Sequence, residues 1–357
     1  MNELDKLIQE RLEQAVKDRV FPGCVLGIVN KEGQRKIFTV GSLTYDPNSP
    51  AVVSDIMYDL ASVTKAIPGS AILLKLIDEN KISLEDRLVD YVPEFGNFEN
   101  KKEVKIKHIL TYTLDLEIPS MASLKNKSPE DISDIVIKAP LKSVPGSKYL
   151  YTNSTAFFIH LIVEKFTGRT IDKLADEFFF KPLQMSRTTF YPEKFDKTTI
   201  APTEIDEWRG RVIQGEVHDE STYTLRRKYL VAIAGLFSTV PDLLTFEEML
   251  LNGGLLRGKR YFSEEIVKEM YNNQIHNTDE PAGLGWEINQ PIFMGKYAEE
   301  IFGKSGFTGT MILINPKKGV ALALLSNRIY PKRHADRGAA NYKLRNDIAD
   351  MVFGERK

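Results

Sequence analysis

Ser62 and Lys65 stand three residues apart in Leu60-Ala61-Ser62-Val63-Thr64-Lys65, at the head of an apolar stretch with helical spacing. Residues i and i+3 share one face of a helix, so the hydroxyl and the amine can come within hydrogen-bond reach. A serine hydroxyl is a weak nucleophile near neutrality and needs a base to take its proton. A lysine amine can be that base once burial or a neighbouring cation depresses its pKa. The pair therefore points to acyl transfer through a serine ester. A Ser-x-x-Lys tetrapeptide arises often by chance, so this chemistry requires partners elsewhere in the chain.

Two other stretches carry suitable groups. In Val144-Pro145-Gly146-Ser147-Lys148-Tyr149-Leu150-Tyr151-Thr152-Asn153 a Pro-Gly turn leads into a loop that can present Tyr151 and Asn153. A tyrosine whose pKa is lowered by nearby lysines can act as a general base, and an asparagine can hold a lysine or a substrate amide. A second Tyr-x-Asn, Tyr271-Asn272-Asn273, lacks the Pro-Gly lead and lies at a polar helix end, so it reads as a decoy. In Gly303-Lys304-Ser305-Gly306-Phe307-Thr308-Gly309-Thr310 a cation, a hydroxyl and glycines precede an apolar strand. Glycine there would let a substrate backbone approach the strand edge. Gly-Lys-Ser also suggests a phosphate-binding loop. That loop needs a glycine five residues before Gly303, where Ala298 stands, and it leads into a helix rather than a strand.

These groups must be carried by a scaffold with strands at both ends. Leu4, Leu7, Ile8, Leu12, Ala15 and Val16 form a helical stripe, which Phe21-Pro22-Gly23 breaks. Cys24 to Val29 and Arg35 to Val40 read as a hairpin around Asn30-Lys31-Glu32-Gly33, and Thr310 to Ile314 and Val320 to Leu325 as another. Helical patterns fill the middle: Thr64 to Glu79, bent early by Pro68 and Gly69, then 129–137, 154–166, 171–180 and 241–251. Residues 342–352 read as a closing helix. The expected fold is α+β: one antiparallel sheet built from both termini and flanked by helices, with a mostly helical insert. On that reading residues 1–60 and 285–357 form the sheet domain, and 61–284 the insert.

Composition narrows the function. The 357 residues carry 48 Lys and Arg against 49 Asp and Glu, for a net charge of -1, which excludes a broad basic face for nucleic acid. The basic run Lys101 to Lys107 reads as a solvated edge with Val104 and Ile106 inward. Cys24 is the single cysteine, so no intrachain disulfide forms, and a reducing compartment fits. The charged start, without an apolar signal core, and the lack of about 20 consecutive apolar residues suggest a cytoplasmic chain with no membrane segment. The five histidines (108, 160, 218, 276 and 334) show no metal-ligand spacing, so no metal or cofactor is expected. His160 reads as a core residue and Val217-His218-Asp219 as structural. No Gly-x-Ser-x-Gly surrounds Ser62, which argues against an α/β-hydrolase elbow.

Together, Ser62-x-x-Lys65, Tyr151-x-Asn153 and Lys304-Ser305-Gly306 resemble the serine β-lactamase and penicillin-binding-protein superfamily. The resemblance is to its class C β-lactamase-like branch, with family VIII carboxylesterases and D-amino-acid peptidases. Supporting stretches are Ile82 to Asp86, Tyr91-Val92-Pro93, His108 to Thr113, Gly235 to Thr239 and Ser326-Asn327-Arg328. The resemblance implies a serine hydrolase for esters, amides or β-lactams, with a small-molecule or peptide acyl substrate. It implies that Ser62 forms the acyl-enzyme and that Lys65 and Tyr151 share proton transfer. Asn153 would orient Lys65 and the substrate amide. Lys304 and Ser305 would bind negative charge on the substrate, with Tyr112 also at the substrate. The N–H groups of Ser62 and Phe307 would form the oxyanion hole, worth roughly 3 kcal/mol per donor. Thr111-Tyr112-Thr113-Leu114-Asp115-Leu116 departs from the relatives' Thr-His-Thr-Ser-Gly-Leu. That departure allows the alternative of a catalytically weak relative that binds acyl or peptidoglycan-like ligands as a sensor or scaffold. The loops 115–128 and 205–230, the latter with Trp208 and Arg209, would shape the pocket.

Overall fold

The computed structural model describes residues 2–276, 278 and 280–354. The first helix, α1 (Glu3–Lys17), opens with a capping box in which Asn2 and Asp5 exchange backbone and side-chain hydrogen bonds. Ile8, Leu12 and Ala15 form its buried face, while Leu7, counted in the sequence stripe, is exposed. The hairpin strands β1 (Gly23–Asn30) and β2 (Arg35–Gly41) follow. The remaining strands of the sheet come late: β3 (Glu287–Ile288), β4 (Phe302–Ser305), β5 (Met311–Asn315) and β6 (Val320–Ser326).

All six lie in one antiparallel sheet of order β2-β1-β6-β5-β4-β3, so the two ends of the chain meet at the β1–β6 ladder, where Cys24 faces Ser326 and Asn30 faces Val320. This is the sheet expected from the sequence. Its side chains alternate between two layers, as strand geometry requires. Leu26, Leu313, Leu322 and Leu324 pack under α1 and the closing helix. Val25, Val29, Ile312, Ile314, Ala323 and Leu325 pack into a larger core that runs on through the helical middle of the chain. Both faces of these strands are therefore apolar, which explains why they read as continuous hydrophobic runs.

Four further helices matter for the site: α2 (Ala71–Asp78), α3 (Asn153–Thr167), α4 (Val240–Leu251) and α5 (Ala335–Phe353). The closing helix α5 starts earlier than the expected residue 342. The helix expected from residue 64 is interrupted: a 3-10 turn (Ala61–Lys65) and a wide turn (Ala66–Ser70) precede α2. Ile67 leaves helical geometry at φ -116°, ψ 112°, just before Pro68, where the sequence placed a bend.

One surface reading fails. Val104 and Ile106 do point inward, but Lys101 is fully buried rather than solvated. Its ammonium donates to Asn97 Oδ1 and to the carbonyls of Ile137 and Ala139 at 2.7–2.9 Å, and lies 4.0 Å from the centre of the Phe95 ring. Charge periodicity cannot reveal a lysine that satisfies the backbone of a remote helix end. Among the described residues no helix is long and apolar enough to cross a membrane.

Candidate active site

Ser62 sits where the chain turns sharply. Tyr58–Asp59 pairs with Phe237–Ser238, then Ala61 takes a left-handed φ of 46° and the 3-10 turn begins. With three residues per turn, Ser62 and Lys65 stack almost directly above one another. Lys65 Nζ lies 3.0 Å from Ser62 Oγ and donates to Ile233 O at 2.8 Å. Gly69 makes the second contact possible, because a Cβ there would stand 2.9 Å from Ala232 and push the 231–234 segment away.

Lys65 is 1% exposed. Burial first, and then repulsion by Lys304, lower its pKa to about 7 against the opposing pull of Asp219 and Glu287. A substantial neutral fraction is therefore present at pH 7, as a general base requires.

Tyr151 precedes the N-cap of α3, where Thr152 accepts from Thr155 N–H. Its loop is zipped to the segment before it: Gly146 N–H donates to Thr113 O, and Leu150 N–H to Tyr112 O. The Tyr151 hydroxyl faces Ser62, and Lys304 Nζ lies 3.8 Å from its ring centre, Lys65 Nζ 5.3 Å. The residue keeps 37% exposure to the cleft. Its pKa does not fall, as the sequence reading had it. Burial, and then the Glu287 carboxylate, push it up. The lysines lie over the ring face, and Lys304 is matched by an acid, so they do not draw the proton from the hydroxyl.

Lys304 is fully buried, and its ammonium is held by Glu287 at 2.7 Å. It also lies 4.9 Å from the centre of the Tyr112 ring. Tyr112 itself is 3% exposed, with a φ of 55°, and packs behind Tyr151 with ring centres 5.4 Å apart. Thus Lys304 and Tyr112 support Tyr151 from beneath. The segment Gly303-Lys304-Ser305 lies inside β4, not in a phosphate loop. Asn153 lines the cleft and reaches Asp219 at 3.5 Å; Lys65 takes Ile233 O in its place.

The end of β4 is fastened to the Ser62 turn. Thr308 Oγ1 donates to Asp59 O at 2.7 Å, and Thr310 Oγ1 to Leu60 O at 2.9 Å. Gly306 allows this approach: a Cβ there would meet Thr310 Oγ1 at 2.1 Å and Leu60 O at 2.4 Å. The glycine thus admits the protein's own backbone, where the sequence reading expected that of a substrate. Among the described residues no acceptor takes the N–H of Ser62 or of Phe307. Asp59, absent from the sequence reading, braces the same turn. Its carboxylate accepts from Ala61 N–H and His218 N–H, both at 2.7 Å, and burial raises its pKa to about 6.

The cleft over Ser62 has a volume of about 390 Å³ and is lined by Tyr151, Asn153, Glu287, Ser305 and Phe307, among others. Trp208 and Arg209 brace its rim from behind: Trp208 Nε1 donates to Asn126 Oδ1 and Arg209 to the carbonyls of Val217 and His218. His160 is a core residue, bonded to Phe157 O through Nδ1. His218 is buried against Phe307. Tyr271 packs on Phe302, away from the cleft. Among the described residues no cluster of three or more His, Cys, Asp or Glu could hold a metal ion.

This sheet, its helical middle and the cleft between them define the β-lactamase and penicillin-binding-protein fold class. The family model described as Beta-lactamase matches residues 4–346, and the chain belongs to that family. A "Putative D-alanyl-D-alanine carboxypeptidase" of Escherichia coli O157:H7 is 28% identical over 92% of this chain and 82% of its own length. The named protein of Escherichia coli K12 is 29% identical over 76% and 69%. Among solved structures, "EstCE1, a hydrolase with promiscuous acyltransferase activity" superposes with a TM-score of 0.77 at 18% identity, covering 98% of both chains. The octameric penicillin-binding protein homologue from Pyrococcus abyssi gives 0.73 at 21% identity, over 99% of this chain and 77% of its own.

Proposed function

We propose that the protein is a serine hydrolase working through an acyl-serine intermediate on esters or amides. The observation that carries this reading is the 3.0 Å approach of Lys65 Nζ to Ser62 Oγ, with the amine's pKa near 7, on the floor of a cleft. Neutral Lys65 takes the Ser62 proton as Oγ attacks the acyl carbonyl. The N–H groups of Ser62 and Phe307 receive the developing oxyanion. Tyr151, held protonated at neutral pH, passes its proton to the leaving group and recovers one from Lys65. Water then releases the acyl group by the reverse proton path. Lys304 sets the electrostatics of Lys65 from behind it, while Ser305 and Asn153 face the substrate.

The names of the relatives span a D-alanyl-D-alanine carboxypeptidase and a hydrolase with acyltransferase activity, so the test is a panel. It comprises short-chain p-nitrophenyl esters, nitrocefin and a D-Ala-D-Ala peptide, with fluorophosphonate labelling read by mass spectrometry. At least one substrate is expected to turn over, with Ser62 the labelled residue and Ser62→Ala losing about a thousandfold or more in kcat/KM. Absence of any Ser62 adduct and of any turnover would favour the ligand-binding alternative.

A further inference from the structure

Among the described residues, Asp219, Glu220 and Glu287 are the carboxylates that line the cleft over Ser62. Two of them are matched by cations: Glu287 holds Lys304 at 2.7 Å, and Glu220 holds Arg333 at 2.6 Å. Asp219, half-buried at the head of the short helix Glu220–Leu225, has no ion-pair partner among the described residues. Its Oδ1 serves that helix, accepting from Ser221 Oγ at 2.6 Å and Thr222 N–H at 2.7 Å. Its Oδ2 meets only Asn153 Nδ2, at 3.5 Å. The charge is felt at the proposed reacting centre. It opposes the lowering of the Lys65 pKa by burial and Lys304, and it adds to burial and Glu287 in raising that of Tyr151. Lys65 does not pair with it, because its amine is turned to Ser62 and Ile233 O.

A carboxylate without a counter-ion in a half-enclosed cleft carries a desolvation cost that a cationic ligand offsets. Asn153 adds a second acceptor. An amide set against a carboxylate turns its nitrogen towards it, so the amide oxygen points elsewhere, and Asn153 lines the same cleft. The sequence reading had Asn153 orient Lys65 and a substrate amide. In the structure its nitrogen goes to Asp219, and its Oδ1 is left to take a donor. One carboxylate oxygen and one amide oxygen are too few for a divalent cation, which takes about six oxygen ligands. They suit an ammonium group, which brings one charge and three N–H donors.

We propose that Asp219 is a specificity-determining residue of the cleft: with Asn153 Oδ1 it binds an ammonium group, so that the preferred substrate carries a primary amine on its acyl part. The proposal rests on the serine-hydrolase reading only for placing that amine on the acyl part.

The test separates binding from turnover. Ethyl esters of β-alanine, 4-aminobutyrate and 6-aminohexanoate are paired with ethyl butanoate, pentanoate and heptanoate, in which a methyl group replaces the ammonium. Ser62→Ala protein is titrated with each at neutral pH by calorimetry. At least one amino ester is expected to bind about tenfold or more tighter than its neutral match. Adding Asp219→Asn or Asp219→Ser keeps a good helix cap and removes the charge. Each should bring the ratio to about one, whereas loss of a purely structural residue would weaken both members of a pair alike. Asp219→Glu, which restores the charge, should recover part of the ratio. Equal binding of charged and neutral esters at every chain length, or a ratio untouched in both neutral Asp219 variants, overturns the subsite. If the preference is found but the unmutated enzyme hydrolyses neither these esters nor any of the earlier panel, the hydrolase reading fails while the subsite stands.

Discussion

Lys65 sets the pH range of the proposed chemistry, and its neighbours act on it with opposite signs. Lys304 lowers its pKa and Glu287 raises it, while the two satisfy each other at 2.7 Å. Removing either leaves the other's charge uncompensated. In Lys304→Met the remaining carboxylate should raise the Lys65 pKa. The rising limb of kcat/KM, expected near pH 7 in the parent enzyme, should then move up by about one pH unit. In Glu287→Gln the remaining ammonium should lower it, and the limb should move down. The base acts in its neutral form, so activity is gained as pH rises through each value. Profiles measured with one ester on the three proteins decide the matter. Shifts of the same sign in both variants would show that Lys65 is not the titrating base. Glu287 itself was out of reach of sequence reading: it lies 17 positions from Lys304 on a neighbouring strand, and Trp286-Glu287 matches no chemical motif.

At the scale of elements, the site consists of turns fastened to one another. Gly306→Ala places a methyl group against backbone at Leu60 O, which cannot move without shifting the Ser62 turn. Overpacking of this kind costs about 1–3 kcal/mol, and the displaced Phe307 N–H should lower kcat more than it raises KM. Urea unfolding and steady-state kinetics test both expectations. Asp59→Asn keeps the shape but gives one of two N–H donors an amide nitrogen to face, which costs about 1–3 kcal/mol. Elements whose cause is local were legible. The Ser62-Lys65 spacing, the two hairpins and α4 depend on neighbours in the chain. What escaped depends on pairing across the fold. Tyr151, singled out in the sequence, lines the cleft with Ser62, but its raised pKa follows from burial and Glu287. Asp59 looked like an ordinary strand-end acid until His218 N–H closed on it from 159 positions away.

The molecule as a whole holds together through one larger core. Val25 and Ala323 from the sheet, Leu244 from α4, Leu73 from α2 and Phe158 from α3 all belong to it. The division into a sheet domain and a helical insert describes the path of the chain. The packing ties the two, since α4 arises in the middle of the sequence and covers the sheet. Ser62 and the lip at residue 307 meet only because β1 pairs with β6 and Thr308 and Thr310 hold the Ser62 turn. For a chain of 357 residues a single unfolding transition is not automatic, because large proteins often come apart in pieces. A continuous core predicts that it occurs here. Trp286 is buried beside Glu287 and reports on the sheet edge, while Trp208 stands in the helical middle at the cleft rim. In urea, the fluorescence of Trp208→Phe protein reports the first and that of Trp286→Phe protein the second. Both midpoints should coincide with the loss of fluorophosphonate labelling at Ser62. Separate midpoints, with helical structure surviving after labelling is lost, would instead make the insert an independent folding unit that carries Ser62 into a separately formed sheet.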